Sequence, residues 1–306
     1  MANAGDKTLQ AGLMIAVYAT IIGFTDNFVR VIAAEGGLWQ FHATRTAMAL
    51  VMLGLASIPL GLRLRPVNLG AVVARSAIHG LAMVIYFGAL AFLPVALVAA
   101  GLFTAPIFVL LISWAAYGQA IGPFRIFAVA LGFVGAVAVL GPEALKGASL
   151  PALLPVIAGA LYAMGNIATR RWCAQESAET LLAGFFGALG VIGVVGLLLL
   201  SLWPIAVPDG TAGFLQRGLV WPSQQFLFWT FVQAAGSLLA VGMMVRAYQI
   251  ADATRVSVFE YVILPASAIW SWLIWGEVLT PLAIAGMMLI FVAGVMAALG
   301  GQRPAT

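Results

Sequence analysis

Long apolar runs separated by short polar breaks dominate the pattern of this chain. Cutting the sequence at charges, prolines and glycines leaves ten such runs, each near the ~20 residues that a helix needs to cross the hydrocarbon of a bilayer. The runs cover residues 9–33, 38–62, 69–93, 95–117, 121–140, 150–172, 181–203, 225–248, 253–275 and 279–299. The pattern predicts an all-α integral membrane protein with ten transmembrane helices.

Composition supports a membrane protein and excludes an ordinary soluble domain, because 63% of the 306 residues are hydrophobic and only 8% are charged. The net charge of +4 does not indicate nucleic-acid binding, since the arginines are scattered singly between apolar runs. We therefore expect the lipid bilayer, and no nucleic acid, as a partner. The single Cys173 excludes an intramolecular disulfide and a cysteine-based metal site. The first run is too long for a signal-peptide core and is expected to be retained.

The orientation follows from lysine and arginine in the segments outside the runs. The segments between the runs form two alternating sets, and one set carries nine of these residues while the other carries two. The richer set holds Lys7, Arg63, Arg65, Arg125, Arg170, Arg171, Arg246, Arg255 and Arg303, and the poorer set holds Lys146 and Arg217. The positive-inside rule then predicts both termini on the cytoplasmic side of a bacterial-type inner membrane, with residues 204–224 outside. We expect that connection to be an interfacial loop anchored by Trp203 and Trp221, in preference to a lid.

The two halves of the chain resemble each other. A shift of 159 positions places Pro106 on Pro265 and also superposes several small residues of the fifth and tenth runs. These further pairs are Gly135 with Gly294, Ala138 with Ala297, Leu140 with Leu299 and Gly141 with Gly300. An odd number of helices per half makes the repeats inverted, which is typical of transporters. We expect two five-helix repeats, residues 1–141 and 142–306, that form one transmembrane domain with a binding site near the bilayer midplane.

The ninth run contains the carboxylate that is hardest to explain structurally. Glu260 lies about seven residues, or roughly 10 Å, inside the helix that begins at Ala253. Ser257, Ser267 and Ser271 share its sector of the helix, which gives one polar stripe on an apolar rod. Because a charge at this depth is costly, the stripe is expected to face a cavity.

Polar residues in other runs indicate further walls of that cavity. In the third run, Arg75, His79 and Tyr86 share a face. His79 is favoured as a functional group, whereas Arg75 is interpreted either as a snorkelling side chain or as a carboxylate ligand. Asp26 and Arg30 are expected to form an intrahelical pair.

Weaker candidates occupy three more runs. His42 and Arg45 are placed at an external mouth or in hydrated surroundings. Two stripes, Tyr162 with Asn166 and Thr169, and Gln225 with Trp229 and Gln233, are singly best explained by contacts between helices. Together, inward stripes from both halves favour a shared polar cavity.

Familiar catalytic patterns do not occur in the sequence. It contains no phosphate-binding loop, no HExxH pair, no GxSxG nucleophile and no Cys/His cluster. An enzyme, a cofactor and a metal site are therefore not predicted. A channel is less favoured than a carrier, because nothing resembles a selectivity loop.

With S-V-F-E-Y leading through Pro265 to W-G-E at the end of the ninth run, the chain resembles the EamA family of the drug/metabolite transporter superfamily over essentially its whole length. This resemblance implies ten helices and a transport function, and among the members the chain is similar to YddG-type amino-acid exporters. Many relatives carry a glutamate at the end of the fourth run also, where this chain has Gly118 and Gln119.

We therefore predict a secondary transporter that exports small amphipathic metabolites, chiefly hydrophobic and aromatic amino acids, by alternating access. Alternatives are other substrates of the same superfamily (cationic drugs, sugars or nucleotide-related metabolites) and, less favoured, a channel or an intramembrane enzyme. Glu260 admits protons as a coupling ion. The expected substrate-binding residues are His79, Arg75, Tyr86, Phe103, Tyr162, Asn166, Trp229, Gln233, Glu260 and Tyr261.

Overall fold

The structure, a computed structural model, describes residues 4–89, 93, 95–141 and 150–299. Within these ranges it contains thirteen α-helices, a few short 3-10 turns and no strand. The helices are α1 Ala4–Asp26, α2 Val29–Glu35, α3 Leu38–Leu60, α4 Leu69–Ala89, α5 Val95–Leu102, α6 Ala105–Tyr117, α7 Pro123–Leu140, α8 Leu153–Arg171, α9 Ala178–Leu202, α10 Gln224–Ile250, α11 Ala253–Phe259, α12 Ile263–Trp275 and α13 Pro281–Leu299. Lys146, Gly300 and Arg303, used above for orientation and repeat matching, lie outside the described residues.

The described helices make ten membrane spans, and each coincides with a predicted run to within a few residues at either end. The predicted all-α fold with ten transmembrane helices is confirmed. Seven spans are single helices, whereas the first, fourth and ninth are each divided into two: α1 and α2, α5 and α6, and α11 and α12. These divided spans all contribute residues to the central cavity described below.

Proline accounts for the breaks in the fourth and ninth spans. Pro265 has no N–H to donate to the carbonyl of Tyr261, and the backbone just before it tightens into a 3-10 turn at Glu260–Val262. In the fourth span, Pro106 stands in the first turn of α6, where a missing N–H costs little. The preceding Thr104 donates its hydroxyl to the carbonyl of Gly101 at 2.6 Å. Each break therefore leaves the span helical on both sides, while hydrogen bonds to the carbonyl three residues back locally replace those to the carbonyl four residues back.

The first span breaks without a proline, and the predicted Asp26–Arg30 pair is wrong. Helix α1 ends at Asp26, and the Asn27 amide donates both to the carbonyl of Gly23 at 2.7 Å and to that of Ser267 at 3.2 Å. The four-residue spacing consequently no longer places Asp26 and Arg30 on one helical face. Arg30 instead forms an ion pair at 3.0 Å with Glu277, which lies just after the ninth span.

The partners of each helix follow a regular scheme. The first span packs on the eighth and ninth, and the sixth packs on the third and fourth, while the second meets the seventh and the fifth meets the tenth. This scheme is unchanged when every span is exchanged for the one five places along the chain. Gly135 of α7 and Gly286 of α13 meet so closely that a Cβ on either would lie 2.8 or 2.6 Å from the other's carbonyl oxygen. The scheme is consistent with two five-helix repeats, and their inverted relation stays a prediction.

The connection between α9 and α10 is tied to α2 and α3 by polar contacts. Arg217 donates to the carbonyls of Ala33 at 2.8 Å and Gly36 at 2.9 Å. Gln40 exchanges two hydrogen bonds with the backbone of Val220. The two tryptophans expected to anchor this loop, Trp203 and Trp221, are 66% and 96% exposed. The protein-side anchors are thus the polar contacts, which hold the segment against the start of the second span.

Candidate substrate cavity

One cavity of about 690 Å³ lies between the helices of the two halves. Its wall takes residues from all three divided spans, from α3, α4, α8, α9 and α10, and from the α9–α10 connection. Seven of the ten predicted site residues line it: Arg75, His79, Tyr86, Phe103, Tyr162, Gln233 and Glu260. The α4 stripe thus faces the cavity as its spacing predicts, together with Glu260 and Ser267 of the ninth-span stripe. Ser257 is buried outside the cavity wall, and Ser271 donates to Glu277 instead.

Three predicted site residues stand outside the cavity wall. Trp229 stacks its ring on Phe28, with centroids 3.5 Å apart and an angle of 10°. Tyr261 is fully buried against Gly132, where an added Cβ would come within 2.5 Å of the tyrosine ring. The 3-10 turn at Glu260–Val262 explains this, because consecutive residues there differ by about 120° in direction. Asn166 lies immediately behind the wall.

Asn166 connects the two titratable groups of the predicted site. Its Nδ2 donates to Glu260 Oε1 at 3.0 Å, and its Oδ1 lies 3.0 Å from His79 Nε2. Because the amide nitrogen is engaged with a carboxylate, the amide oxygen must accept from an N–H at His79 Nε2. The Tyr248 hydroxyl also donates to Glu260 Oε1. The result is a continuous hydrogen-bonded chain from His79 through Asn166 to Glu260, with Tyr248 as its last member.

His79 retains one ring nitrogen for other partners. Its ring packs on Gly165, where a Cβ would be only 2.7 Å away, and meets the ring of Tyr162 edge-on at 5.2 Å. Nδ1 has no hydrogen-bond partner among the described residues. With Nε2 donating to Asn166, a neutral His79 presents Nδ1 as an acceptor.

Arg75 neither extends to the membrane surface nor projects freely into the cavity. It is 1% exposed, and its Nε donates to Thr169 Oγ1 at 2.9 Å. A terminal nitrogen donates to the carbonyl of Leu181 at 3.3 Å. The guanidinium thus joins α4 to α8 and α9, and part of its donor capacity is already used.

Two charged residues were underrated from the sequence and line the cavity. Arg45, expected at a mouth or in water, is 7% exposed, and its guanidinium carbon lies 5.5 and 5.4 Å from the centroids of the Phe41 and Phe186 rings. Asp26 is exposed to the cavity and accepts a hydrogen bond from Gln233 Nε2 at 2.7 Å. The available signal was an acid or a base inside an apolar run, the same signal that identified Glu260.

Polar contacts join the two halves of the chain on both faces of the molecule. On the face that carries the α9–α10 connection, Glu277 accepts from Arg30, whose guanidinium also lies 3.7 Å from the centre of the Trp275 ring. On the face where α1 begins, Gln119 donates to Asp252 at 2.8 Å. Arg125 donates to Thr254 beside it at 2.9 Å.

The surroundings of Asp252 favour the ionised form of its carboxyl group. Burial alone would raise the pKa of this carboxyl, but hydrogen bonds from Thr254 and Gln119 and the nearby Arg125 guanidinium hold its pKa below the ordinary value. Asp252 also caps α11 by accepting from the backbone N–H of Thr254 at 3.0 Å. Within the part of the chain that the structure describes, no group of three His, Cys, Asp or Glu side chains is placed to hold a metal ion.

Comparison with known proteins agrees with this architecture. Residues 9–141 match the model of the EamA-like transporter family. A pseudopaline exporter of Pseudomonas aeruginosa, CntI, is 26% identical over 297 residues, which cover 93% of this chain and 95% of that protein. A riboflavin transporter of Vibrio cholerae is 28% identical over 251 residues, covering 78% of each chain.

A solved crystal structure has the same fold. It superposes with a TM-score of 0.74 and 17% identity over 98% of this chain and all of the other. The family match, the curated transporters and the ten spans together confirm the resemblance predicted from the sequence. Residues 9–141 of this chain thus match the EamA-like transporter family, and the whole chain is a multi-pass membrane protein similar to known transporters over nearly its full length.

Proposed function

We propose that this transporter exports small amphipathic metabolites, with hydrophobic and aromatic amino acids as the leading class. The observation that carries the proposal is the 690 Å³ cavity, whose wall combines aromatic rings with charged groups of both signs. Sites of this size commonly hold small organic ligands, with apolar walls for burial and a few polar groups for orientation. An amino acid with an apolar side chain matches both parts of such a wall.

The mechanism we propose is alternating access between the two faces. A carrier has to open one face at a time, and each face is held by contacts between the halves, Arg30 with Glu277 on one and Gln119 with Asp252 on the other. Breaking one set while keeping the other would expose the cavity to a single side. Under the positive-inside rule, the Asp252 face and both termini are cytoplasmic in a bacterial-type inner membrane.

Protons are the coupling ion that the site supports. The carboxyl of Glu260 is 6% exposed yet lines the cavity, and Asn166 connects it to His79. A proton on Glu260 would remove the cost of a buried charge, so its gain and loss would alter the energy of the two cavity states.

A second candidate is a larger metabolite, favoured by the cavity volume and by the relatives. Proteins similar to this chain are named for pseudopaline export and riboflavin transport. About 690 Å³ lies well within the ~300–1,000 Å³ typical of sites for drug-sized ligands, so a multi-ring compound would also fit.

Flux measured with purified protein in liposomes separates these candidates. The panel comprises L-phenylalanine, L-leucine, riboflavin, glucose and ethidium, and protein-free liposomes are the control. We expect the two amino acids to move faster than glucose and ethidium. Riboflavin flux without amino-acid flux would support the second candidate, and flux of none of the five compounds would contradict both.

Reporter fusions test the orientation. A reporter at Gly210 in the α9–α10 connection should be external, and one between residues 174 and 179 should be cytoplasmic. The reverse pattern would overturn the assignment of the Asp252 face to the cytoplasm.

A further inference from the structure

Three arginines line the cavity. Arg30 is paired with Glu277, and the other two differ in how many of their N–H donors are already used. Arg75 donates to Thr169 and to the carbonyl of Leu181, and it is 1% exposed. Arg45 makes no hydrogen bond to another described residue, and its Nε is buried without a partner. An arginine has five N–H donors in a flat fork, and because no described residue accepts from Arg45, its terminal N–H groups remain available to a ligand.

The surroundings of Arg45 hold its charge in place without neutralising it. The centroids of the Phe41 and Phe186 rings lie 5.5 and 5.4 Å from the guanidinium carbon. Aromatic faces attract a guanidinium and restrict its position, yet they supply no acceptor oxygen. A planar cation next to apolar rings that accept none of its N–H groups suits bidentate binding of a carboxylate.

Asp26 is the matching acid. Gln233 occupies one of its oxygens, Oδ1, at 2.7 Å, and the side chain is exposed to the cavity. Asp26 and Arg45 are close enough to influence each other electrostatically. They form no ion pair, because no nitrogen of Arg45 lies within 4.0 Å of an Asp26 oxygen. Both side chains therefore line the same cavity without being in direct contact.

His42 adds an independent sign that a polar partner is missing from this corner. It lies one turn before Arg45 on α3, is fully buried, and has no hydrogen-bond partner on either ring nitrogen among the described residues. Its ring meets that of Phe87, a cavity-lining residue, at 5.2 Å. Buried polar atoms normally have partners, so His42 and Arg45 together mark a place where a polar ligand or water is expected.

We propose that Arg45 binds the carboxylate of the transported metabolite and that Asp26 binds its ammonium group. This inference rests on the proposed amino-acid substrate and specifies how the cavity recognises it. The aromatic wall, including Tyr86 and Phe103, then receives the side chain. Arg75 holds the helices that frame the site and does not contact the carboxylate.

Three probes of one shape test the two charges separately. L-phenylalanine carries both groups, phenylalaninamide lacks the carboxylate, and phenylpropionate lacks the ammonium. Binding of each is measured by calorimetry on purified wild-type protein, Arg45→Gln and Asp26→Asn. The asparagine variant keeps an oxygen to accept from Gln233. Size-exclusion profiles and thermal unfolding verify that each variant is folded.

The expected result is a double dissociation. Arg45→Gln raises the Kd of L-phenylalanine and phenylpropionate by about 10- to 100-fold, as expected for losing a charge-assisted pair, and changes that of phenylalaninamide by less than about twofold. Asp26→Asn weakens L-phenylalanine and phenylalaninamide and leaves phenylpropionate nearly unchanged. If Arg45→Gln does not fold, Arg45→Lys replaces it, with a smaller loss confined to the same two probes because the fork is removed.

The outcomes against the inference are distinct from those against the proposed function. Wild-type protein that binds L-phenylalanine, with variants that affect all three probes equally or none, overturns the inference alone. Wild-type protein that binds none of the three probes contradicts the amino-acid function and this inference with it.

Discussion

The fourth and ninth spans have the same construction and different chemistry. Each is broken near its middle, each resumes as a 13-residue helix, and each helix ends at a glycine in the left-handed conformation, Gly118 with φ 60° or Gly276 with φ 69°. The shift of 159 positions that pairs their prolines also pairs Gly101 with Glu260. The fourth-span break therefore has no side chain where the ninth-span break has a carboxylate.

Helix α8 contacts both breaks, in two different ways. Gly159 lies against the fourth-span break, where an added Cβ would come within 2.7 Å of Thr104 Oγ1. Two turns further along α8, Asn166 donates a hydrogen bond to Glu260. One break is thus packed tightly against α8, and the other is connected to it by a polar contact. The comparison indicates that the two similarly built spans both have a break, while only the break in the ninth span carries a titratable side chain.

Filling the fourth-span break should produce the largest effect on folding. In Gly101→Ala the new Cβ would lie 2.3 Å from the Cβ of Pro155 and 2.9 Å from its backbone carbon, so α5 has to move away from α8. We expect a loss of about 1–3 kcal/mol in the free energy of unfolding and a lower yield of monodisperse protein. Thermal unfolding in detergent measures this effect.

Gly88→Ala is the matched control, because the Cβ at this helical glycine would meet nothing within 4 Å. It should match the wild-type thermal midpoint or exceed it, since alanine favours the helix. Equal midpoints for the two variants would show that the fourth-span break is not tightly packed.

Removing the prolines should separate the two breaks by function. In Pro265→Ala the new N–H can donate to the carbonyl of Tyr261, which favours a continuous helix and displaces Glu260 from its partners. In Pro106→Ala the new N–H stands in the first turn of α6. We expect L-phenylalanine flux in liposomes to fall severalfold in the first variant and to stay within about twofold in the second. Equal losses would refute the functional difference between the breaks.

The smallest effect on stability is expected at the contact between the fourth and ninth spans, where Gln119 donates to Asp252. The folded-state pKa of Asp252 lies below its ordinary value of 3.8. The carboxylate therefore stabilises the protein fully above that ordinary value, and the contribution is lost as pH falls through the lower folded-state pKa. Asp252→Asn keeps the helix cap and should cost less than about 1 kcal/mol at neutral pH, because the site is partly exposed.

Thermal midpoints at neutral pH and well below the ordinary pKa of 3.8 examine this contact. The midpoint difference between wild type and Asp252→Asn should shrink at the lower pH. A difference that grows on acidification would show that the sign of the pKa shift is wrong.

The ten spans were predictable because lipid leaves a chain few choices. A span must be helical and about 20 residues long, so apolar runs in the sequence report directly on the fold. The breaks at Pro106 and Pro265 were also readable, since proline removes a helical donor. The break after Asp26 was not, because the Asn27 amide stabilises it partly through a contact with Ser267, about 240 residues away in the sequence.

The helix faces that line the cavity could be predicted from the sequence, but the partners of individual side chains could not. The periodicity of α4 placed Arg75, His79 and Tyr86 on one face, and all three line the cavity. The same periodicity could not show that Arg75 would find partners on α8 and α9 while Arg45 would find none. Which buried charge is left free depends on neighbours that only the folded structure brings together.

The central claim, that Glu260 serves the transport cycle, is tested most directly by L-phenylalanine flux through Glu260→Gln in liposomes. Glu179→Gln, which removes a carboxylate near the start of α9, is the control. Measured from about pH 5.5 to about pH 8, the range in which coupled groups commonly titrate, flux should fall at least about tenfold or lose its pH dependence in Glu260→Gln only. Wild-type rates with wild-type pH dependence in monodisperse Glu260→Gln protein would contradict the claim.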